Sequence, residues 1–180
     1  MKNFLLAFLF IFSISIVAQD KKTVTNGSIT FEASVPFYEA VEAVNNQVIG
    51  TLNTKNNNIH FIVFIKDFKF ERSLMQDHFN ANYMESKKYP KAVFKGGIEK
   101  FSANKINTTP GRYYIKGKIQ IHGVTKNIRV LALIHKTATN SIAVQSHFSL
   151  NTEDFKIEIP FIVKNKISKT VNVALNVDLK

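Results

Sequence analysis

Residues 72–96 read Arg72-Ser-Leu-Met-Gln-Asp-His-Phe-Asn-Ala-Asn-Tyr-Met-Glu-Ser-Lys-Lys-Tyr-Pro-Lys-Ala-Val-Phe-Lys-Gly96, and they break the pattern around them. Nearly everything else after residue 22 alternates apolar and polar side chains, the period of half-buried strands. From Leu74 the spacing turns helical. Leu74, Met75, His78, Phe79, Asn82 and Tyr83 recur at i, i+1, i+4, i+5, i+8 and i+9, which sets them on one side of a 3.6-residue helix. Ser73 and Gln76 have the spacing of a capping box, and Pro90 forbids helix beyond Tyr89. One amphipathic helix in an otherwise all-β chain must lay that face on the sheet, over one end or one side of a barrel.

Upstream, Ile29, Phe31, Ala33 and Val35 alternate with Ser28, Thr30, Glu32 and Ser34, a strand with one buried face that Pro36 ends. Residues 37–46 fit either a short helical turn or a further irregular strand. A strand over about 47–53 leads to an Asn-rich turn at 56–58. Residues 59–66, which include Phe61 and Val63, are apolar on both faces, as a strand covered on both sides would be. The helix that follows is the natural cover.

Downstream of Pro90, Ala92, Phe94, Gly96 and Ile98 share one strand face. After a loop at 102–111, Tyr113, Ile115, Gly117, Ile119 and Ile121 share another. His122 to Lys126 reads as a compact turn in which Gly123 can take positive φ, followed by a return strand over about 127–135. Ile142, Val144, Ser146, Phe148 and Leu150 mark the next strand, and Val171 to Leu179 the last. About eight antiparallel strands with short turns and one helix fit a closed barrel or a two-sheet sandwich. Small barrels of this kind fill with side chains or enclose one ligand. The sixteen phenylalanines make the interior apolar either way.

Residues 1–18 have the form of a secretory signal: Lys2, an apolar run from Phe4 to Val17, and a cut near Ala18-Gln19. The alternative is an uncleaved anchor, but the run falls short of the roughly 20 residues a spanning helix needs. Residues 19–180 are then one domain, expected in the periplasm or outside the cell. The chain has no cysteine, which removes a lipidated cysteine, disulfides and thiolate zinc sites. Net charge is +11, and losing Lys2 lowers it by one. An exported basic chain meets anionic lipid rather than nucleic acid, so peripheral contact with an anionic membrane surface is the partner its charge suggests. A merely solubilising charge is the plainer account, since the lysines are scattered. A transmembrane barrel would need its apolar face outward and aromatic girdles, whereas the outward face carries lysine and asparagine.

No catalytic motif is present: no Gly-x-Ser-x-Gly elbow, no His-Glu-x-x-His helix, no phosphate-cradling glycine loop. His60, His78, His122, His135 and His147 sit on separate elements, so neither a metal site nor a catalytic cofactor is expected.

Three segments carry a resemblance. Asn82-Tyr83-Met84-Glu85-Ser86-Lys87-Lys88-Tyr89-Pro90-Lys91-Ala92-Val93-Phe94 resembles the acidic-aromatic helix end, Lys-Tyr-Pro and apolar-x-Phe strand of the YceI-like, lipocalin-like polyisoprenoid-binding proteins. Gly117 to Lys126 is similar to that family's Gly-x-Leu-x-Ile-x-Gly-Val-Thr-Lys hairpin, and Asp154-Phe155-Lys156-Ile157 to its Asp-Phe-Gly-Ile element. Asn82, Met84 and Lys156 depart from the family pattern, at an acid, an aromatic and a small residue respectively. The resemblance implies an elongated eight-stranded antiparallel lipocalin-like barrel, with the helix inserted mid-chain. It also implies a long apolar tunnel for an isoprenoid chain and a periplasmic, often homodimeric protein.

The resulting expectation is a non-enzymatic binder of an isoprenoid quinone or polyprenyl chain, held for carriage or storage in the cell envelope. Apolar burial at roughly 25 cal/mol per Å² would drive binding. Ile29, Phe31, Phe61, Val63, Phe94, Ile115, Phe148 and Phe155 are expected to line the tunnel, with Leu74, Phe79 and Tyr83 closing it from the helix. Each of them could equally be ordinary core. The rival expectation is a filled structural, interaction or stress-response module of the envelope that binds no lipid.

Overall fold

The computed structural model describes residues 20–180. Eight strands follow one another around a closed antiparallel barrel. They are β1 (Lys21–Ser34), β2 (Glu42–Asn53), β3 (Asn58–Phe64), β4 (Lys91–Ile98), β5 (Gly111–Ile121), β6 (Val124–Lys136), β7 (Ile142–Asn151) and β8 (Ile167–Leu179). Each strand pairs with its sequence neighbours, and β1 closes on β8 through pairs such as Phe31↔Val173. Of the closed barrel and the two-sheet sandwich that the alternation allows, the chain forms the barrel, the all-β, eight-stranded lipocalin-like architecture the resemblance implies, and closure leaves no unpaired sheet edge. The outer wall carries exposed Lys95, Lys116, Lys118, Gln120, Asn172 and Asn176. No helix among the described residues is long and apolar enough to cross a membrane. The predicted signal, residues 1–18, lies outside the described residues.

Two local readings tighten. The ambiguous segment 37–46 is a turn that runs into β2 at Glu42. The β5–β6 turn is only His122-Gly123, at φ 49° and 75°, so strand pairing resumes at once with Ile121↔Val124. Two successive positive φ values match the twist of a two-residue hairpin.

The predicted helix is shorter than its pattern. α1 spans Ser73–His78, and a π-helical turn continues it over Phe79–Tyr83. The capping box does not form: Arg72 is the N-cap and makes no side-chain cap bond. Gln76 instead accepts a 3.4 Å hydrogen bond from the Phe70 N–H, in the loop that leads into the helix. No side chain of α1 or of the π turn is buried. His78 and Asn82, assigned to the buried face by spacing, are exposed. The reason is what lies beneath them: the segment spans a cavity and meets the sheet chiefly through Phe79 against Phe31.

The barrel has two unlike halves. At one end Leu52, Ile59, Ile134, Ile142 and Leu179 are at most 2% exposed. The β4–β5 loop plugs that end with Phe101 and Ile106, and Phe101 meets Tyr113 edge-on at 5.5 Å between centroids. At the other end Ile29, Phe31, Phe94, Val130 and Phe148 point inward yet remain partly accessible. A packed interior leaves such side chains no free surface. The loops over this half are the β1–β2 turn, the 65–90 crossover with α1, the β5–β6 hairpin and the 152–166 segment.

Candidate functional site

The accessible half encloses a cavity of about 600 Å³. That lies within the range usual for small-molecule sites, roughly 300–1,000 Å³. All eleven residues predicted to line a tunnel border it. Ile29 and Phe31 come from β1, Phe61 and Val63 from β3, Phe94 from β4, Ile115 from β5 and Phe148 from β7. Phe155 comes from the turn after β7, and Leu74, Phe79 and Tyr83 from the helical cover. Leu74 is 64% exposed, so it stands on the rim rather than closing the cavity. The cavity occupies the half of the barrel toward the helical cover. Leu52, Ile59, Ile98, Ile134, Ile142 and Leu179 fill the remaining interior as plain core and do not border it.

Backbone chemistry makes part of this room. Gly96 on β4 pairs directly with Gly117 on β5. A Cβ on Gly96 would lie 2.4 Å from the Lys116 carbonyl oxygen and 2.7 Å from Phe94 Cζ; one on Gly117 would lie 2.8 Å from the same Phe94 atom. The absent side chains let the Phe94 ring lie flat along the wall instead of projecting across the lumen.

Phe68 and Phe70 went unread in the sequence. They sit in the irregular stretch before α1, where no periodicity assigns a face. With Phe31 and Phe79 they form a knot: Phe31 stacks on Phe79 at 5.4 Å, and Phe70 meets Phe79 at 5.0 Å. Phe68 meets Phe31 at 5.2 Å and Phe79 at 5.8 Å, both edge-on. The knot fastens the helical cover to β1. A second fastening is polar: Val44 and Lys69 exchange two backbone hydrogen bonds of 3.0 and 2.7 Å.

The lining is mostly apolar, and of its polar groups the buried Thr152 hydroxyl has no protein partner. The Ser146 hydroxyl donates to the Leu131 carbonyl at 2.7 Å. Arg72 and Glu39 form an ion pair at the rim, joining the helical cover to the β1–β2 turn. Lys166 lies 6.0 Å from the Tyr38 ring. Burial pushes the Tyr83 phenol above its ordinary pKa, which keeps it neutral across physiological pH. Beside the cavity His122 joins three elements. Its Nε2 is 2.8 Å from Glu85 Oε2, its Nδ1 is 3.2 Å from the Phe155 carbonyl oxygen, and Tyr89 packs edge-on at 4.5 Å. Among the described residues no three His, Asp or Glu side chains gather as metal ligands would.

An up-and-down barrel, plugged at one end and hollow at the other, with an apolar lumen under a helical cover, is lipocalin-like in class. The YceI-like domain family matches residues 19–179, and the chain belongs to that family. Its fold is similar to that of a polyisoprenoid-binding domain from Saccharophagus degradans, at TM-score 0.77 and 14% identity, over 89% of this chain and 98% of that one. BcnA from Burkholderia cenocepacia is similar at TM-score 0.67 and 13% identity, over 83% and 94% of the two chains. The YceI protein of Campylobacter jejuni is similar at TM-score 0.52 and 17% identity, over 100% and 99%. No curated protein sequence is significantly similar to this chain.

Proposed function

We propose that this protein binds one long apolar lipid, an isoprenoid quinone or polyprenyl chain, in the barrel cavity and holds it outside the cytoplasm without chemical change. One observation carries the reading: inward-facing Phe31, Phe94 and Phe148 keep accessible surface around a 600 Å³ apolar space, while the opposite half of the same barrel is packed solid. A filled structural module has no use for such a gap, since a cavity forfeits dispersion contacts and stability. Transfer of a tail from water to this lining would drive binding, with few polar contacts to set orientation. The polyisoprenoid-binding relative lends the ligand class support. The lining is mostly apolar, and its one acid, Glu39, is held at the rim by Arg72, which supports carriage of an apolar tail.

The test is native mass spectrometry and solvent extraction of protein purified from its own host. A stoichiometric isoprenoid adduct is expected. Absence of both a co-purified lipid and any uptake of an added quinone or polyprenol would overturn the reading.

A further inference from the structure

Large exposed apolar side chains are concentrated at one place on this molecule. Seven stand exposed among the described residues: Phe37, Tyr38, Leu74, Tyr114, Leu133, Phe161 and Ile162. Tyr114 and Leu133 lie on the barrel wall, where Arg129 covers the Tyr114 ring at 3.5 Å. The other five belong to three of the four segments around the cavity mouth: the β1–β2 turn, the crossover and the 152–166 segment. Phe37 is 106% exposed, Phe161 89% and Ile162 88%, so these side chains touch almost nothing of their own protein. The loops share one rim, because Tyr38, Leu74, Val163 and Lys166 all border the same opening. The Arg72–Glu39 ion pair and the Ser34↔Ile167 strand pair tie the loops together. Lys164 and Lys166 follow the Phe161-Ile162 tip after Val163, and the nearest acid in the chain on that side is Glu158, before Pro160.

We propose that this rim is a membrane-docking surface. Phe161, Ile162 and Phe37 enter the acyl layer, while Lys164 and Lys166 lie against anionic headgroups, with the cavity mouth facing the bilayer. The division of labour is that of interfacial anchors, in which apolar area supplies insertion and basic residues supply the preference for anionic lipid. A second copy of the chain fits less well. A twofold interface would set the patch against itself and bring its lysines together, and the rim acid Glu39 is already held by Arg72. The inference rests on the lipid-binding reading for its purpose, since an apolar tail can then pass between bilayer and cavity without crossing water.

The experiment is flotation of the purified protein with vesicles of phosphatidylcholine alone or mixed with phosphatidylglycerol. Wild type is expected to float with the anionic vesicles, less so at about 0.5 M salt. Phe161→Asp with Ile162→Asp, both fully outside the core, is expected to lower the bound fraction roughly tenfold with an unchanged melting temperature. Lys164→Glu with Lys166→Glu is expected to erase the preference for anionic vesicles. The chain has no tryptophan, so Phe161→Trp is a lone indole reporter whose emission should shift to the blue on vesicle addition. Wild type that stays with the protein fraction, an unshifted indole, or vesicle binding unchanged by the double aspartate variant would each overturn the proposal. So would a dimer that this variant splits while vesicle binding persists. Loading of a polyprenol from detergent separates the two readings. The double aspartate variant is expected to load as wild type does, and failure of wild type to load would remove the carrier reading while leaving the vesicle result to stand or fall alone.

Discussion

His60 lies on β3 across from Thr51 on one side and Lys95 on the other, with its Nε2 out of water and without a partner. Burial first, then the charges of Lys95 and Lys91, holds its pKa below the usual value. The unfolded chain therefore takes up a proton at pH values where the folded barrel refuses it. This contribution to stability is complete above the unfolded pKa, near 6.5, and is lost as pH falls from there toward the folded value. A His60→Gln variant should show a smaller loss of melting temperature between pH 7.5 and pH 5 than wild type; parallel losses would refute the assignment. Asn45 is a different kind of residue, wholly enclosed with its side-chain nitrogen and oxygen each paired. Its amide donates to the Phe64 carbonyl at 3.0 Å and its Oδ1 accepts from the Gln47 N–H at 2.8 Å. It fastens β2 to the end of β3, where the crossover under the helical cover begins. Asn45→Ala leaves both backbone groups unpaired and should cost about 2–4 kcal/mol, read as a lower midpoint in chemical denaturation.

Among the elements, the crossover from β3 to β4 behaves least like its sequence. Its apolar spacing is helical, yet only Ser73–His78 is α-helix, and the chain widens into a π turn at Phe79. Such turns often mark functional sites, and here one aims Phe79 into the aromatic knot. Beyond it, Glu85 takes a left-handed φ of 43° and reaches His122, itself at 49°. A neutral imidazole has a single N–H, so it can donate to the Glu85 carboxylate or to the Phe155 carbonyl but not to both at once. The ring thus sits where the crossover, the β5–β6 hairpin and the turn after β7 meet, bonded to one of its two oxygen neighbours at a time and packed against Tyr89. His122→Asn keeps a residue that tolerates left-handed backbone and deletes the ring contacts. The variant should lose about 1–2 kcal/mol and exchange the amides of 85–89 and 152–156 faster. Unchanged exchange there would mean the histidine holds nothing together.

For the whole molecule, the decisive property is the contrast between a plugged half and a hollow half in one continuous sheet. Phe79→Asp with Phe94→Asp places carboxylates in the cover and in the wall of the cavity. Because neither position is fully buried, the barrel should still form, while isoprenoid uptake should be abolished by the cost of seating an apolar tail beside unpaired charge. A folded double variant that takes up lipid as wild type does would show that the ligand sits elsewhere.

An approximate strand number and the inward faces of the cleanly alternating strands, those of Phe31, Phe94, Ile115, Phe148 and Val173, were legible, because a two-residue period leaves only one way to bury the apolar set; β3, apolar on both faces, showed no such preference. The mid-chain crossover was legible for the same reason, as a change of period. All eleven proposed lining residues border one cavity, yet their types and spacing are equally those of core, as Ile59 and Ile134 show by being nothing else. Whether an inward phenylalanine touches a neighbour or empty space depends on how far opposite walls stand apart and what plugs each end. Those distances arise from strand closure, from the Gly96–Gly117 pair and from Phe68 and Phe70 in an aperiodic loop, so only the tertiary structure could decide which half of the barrel stays hollow.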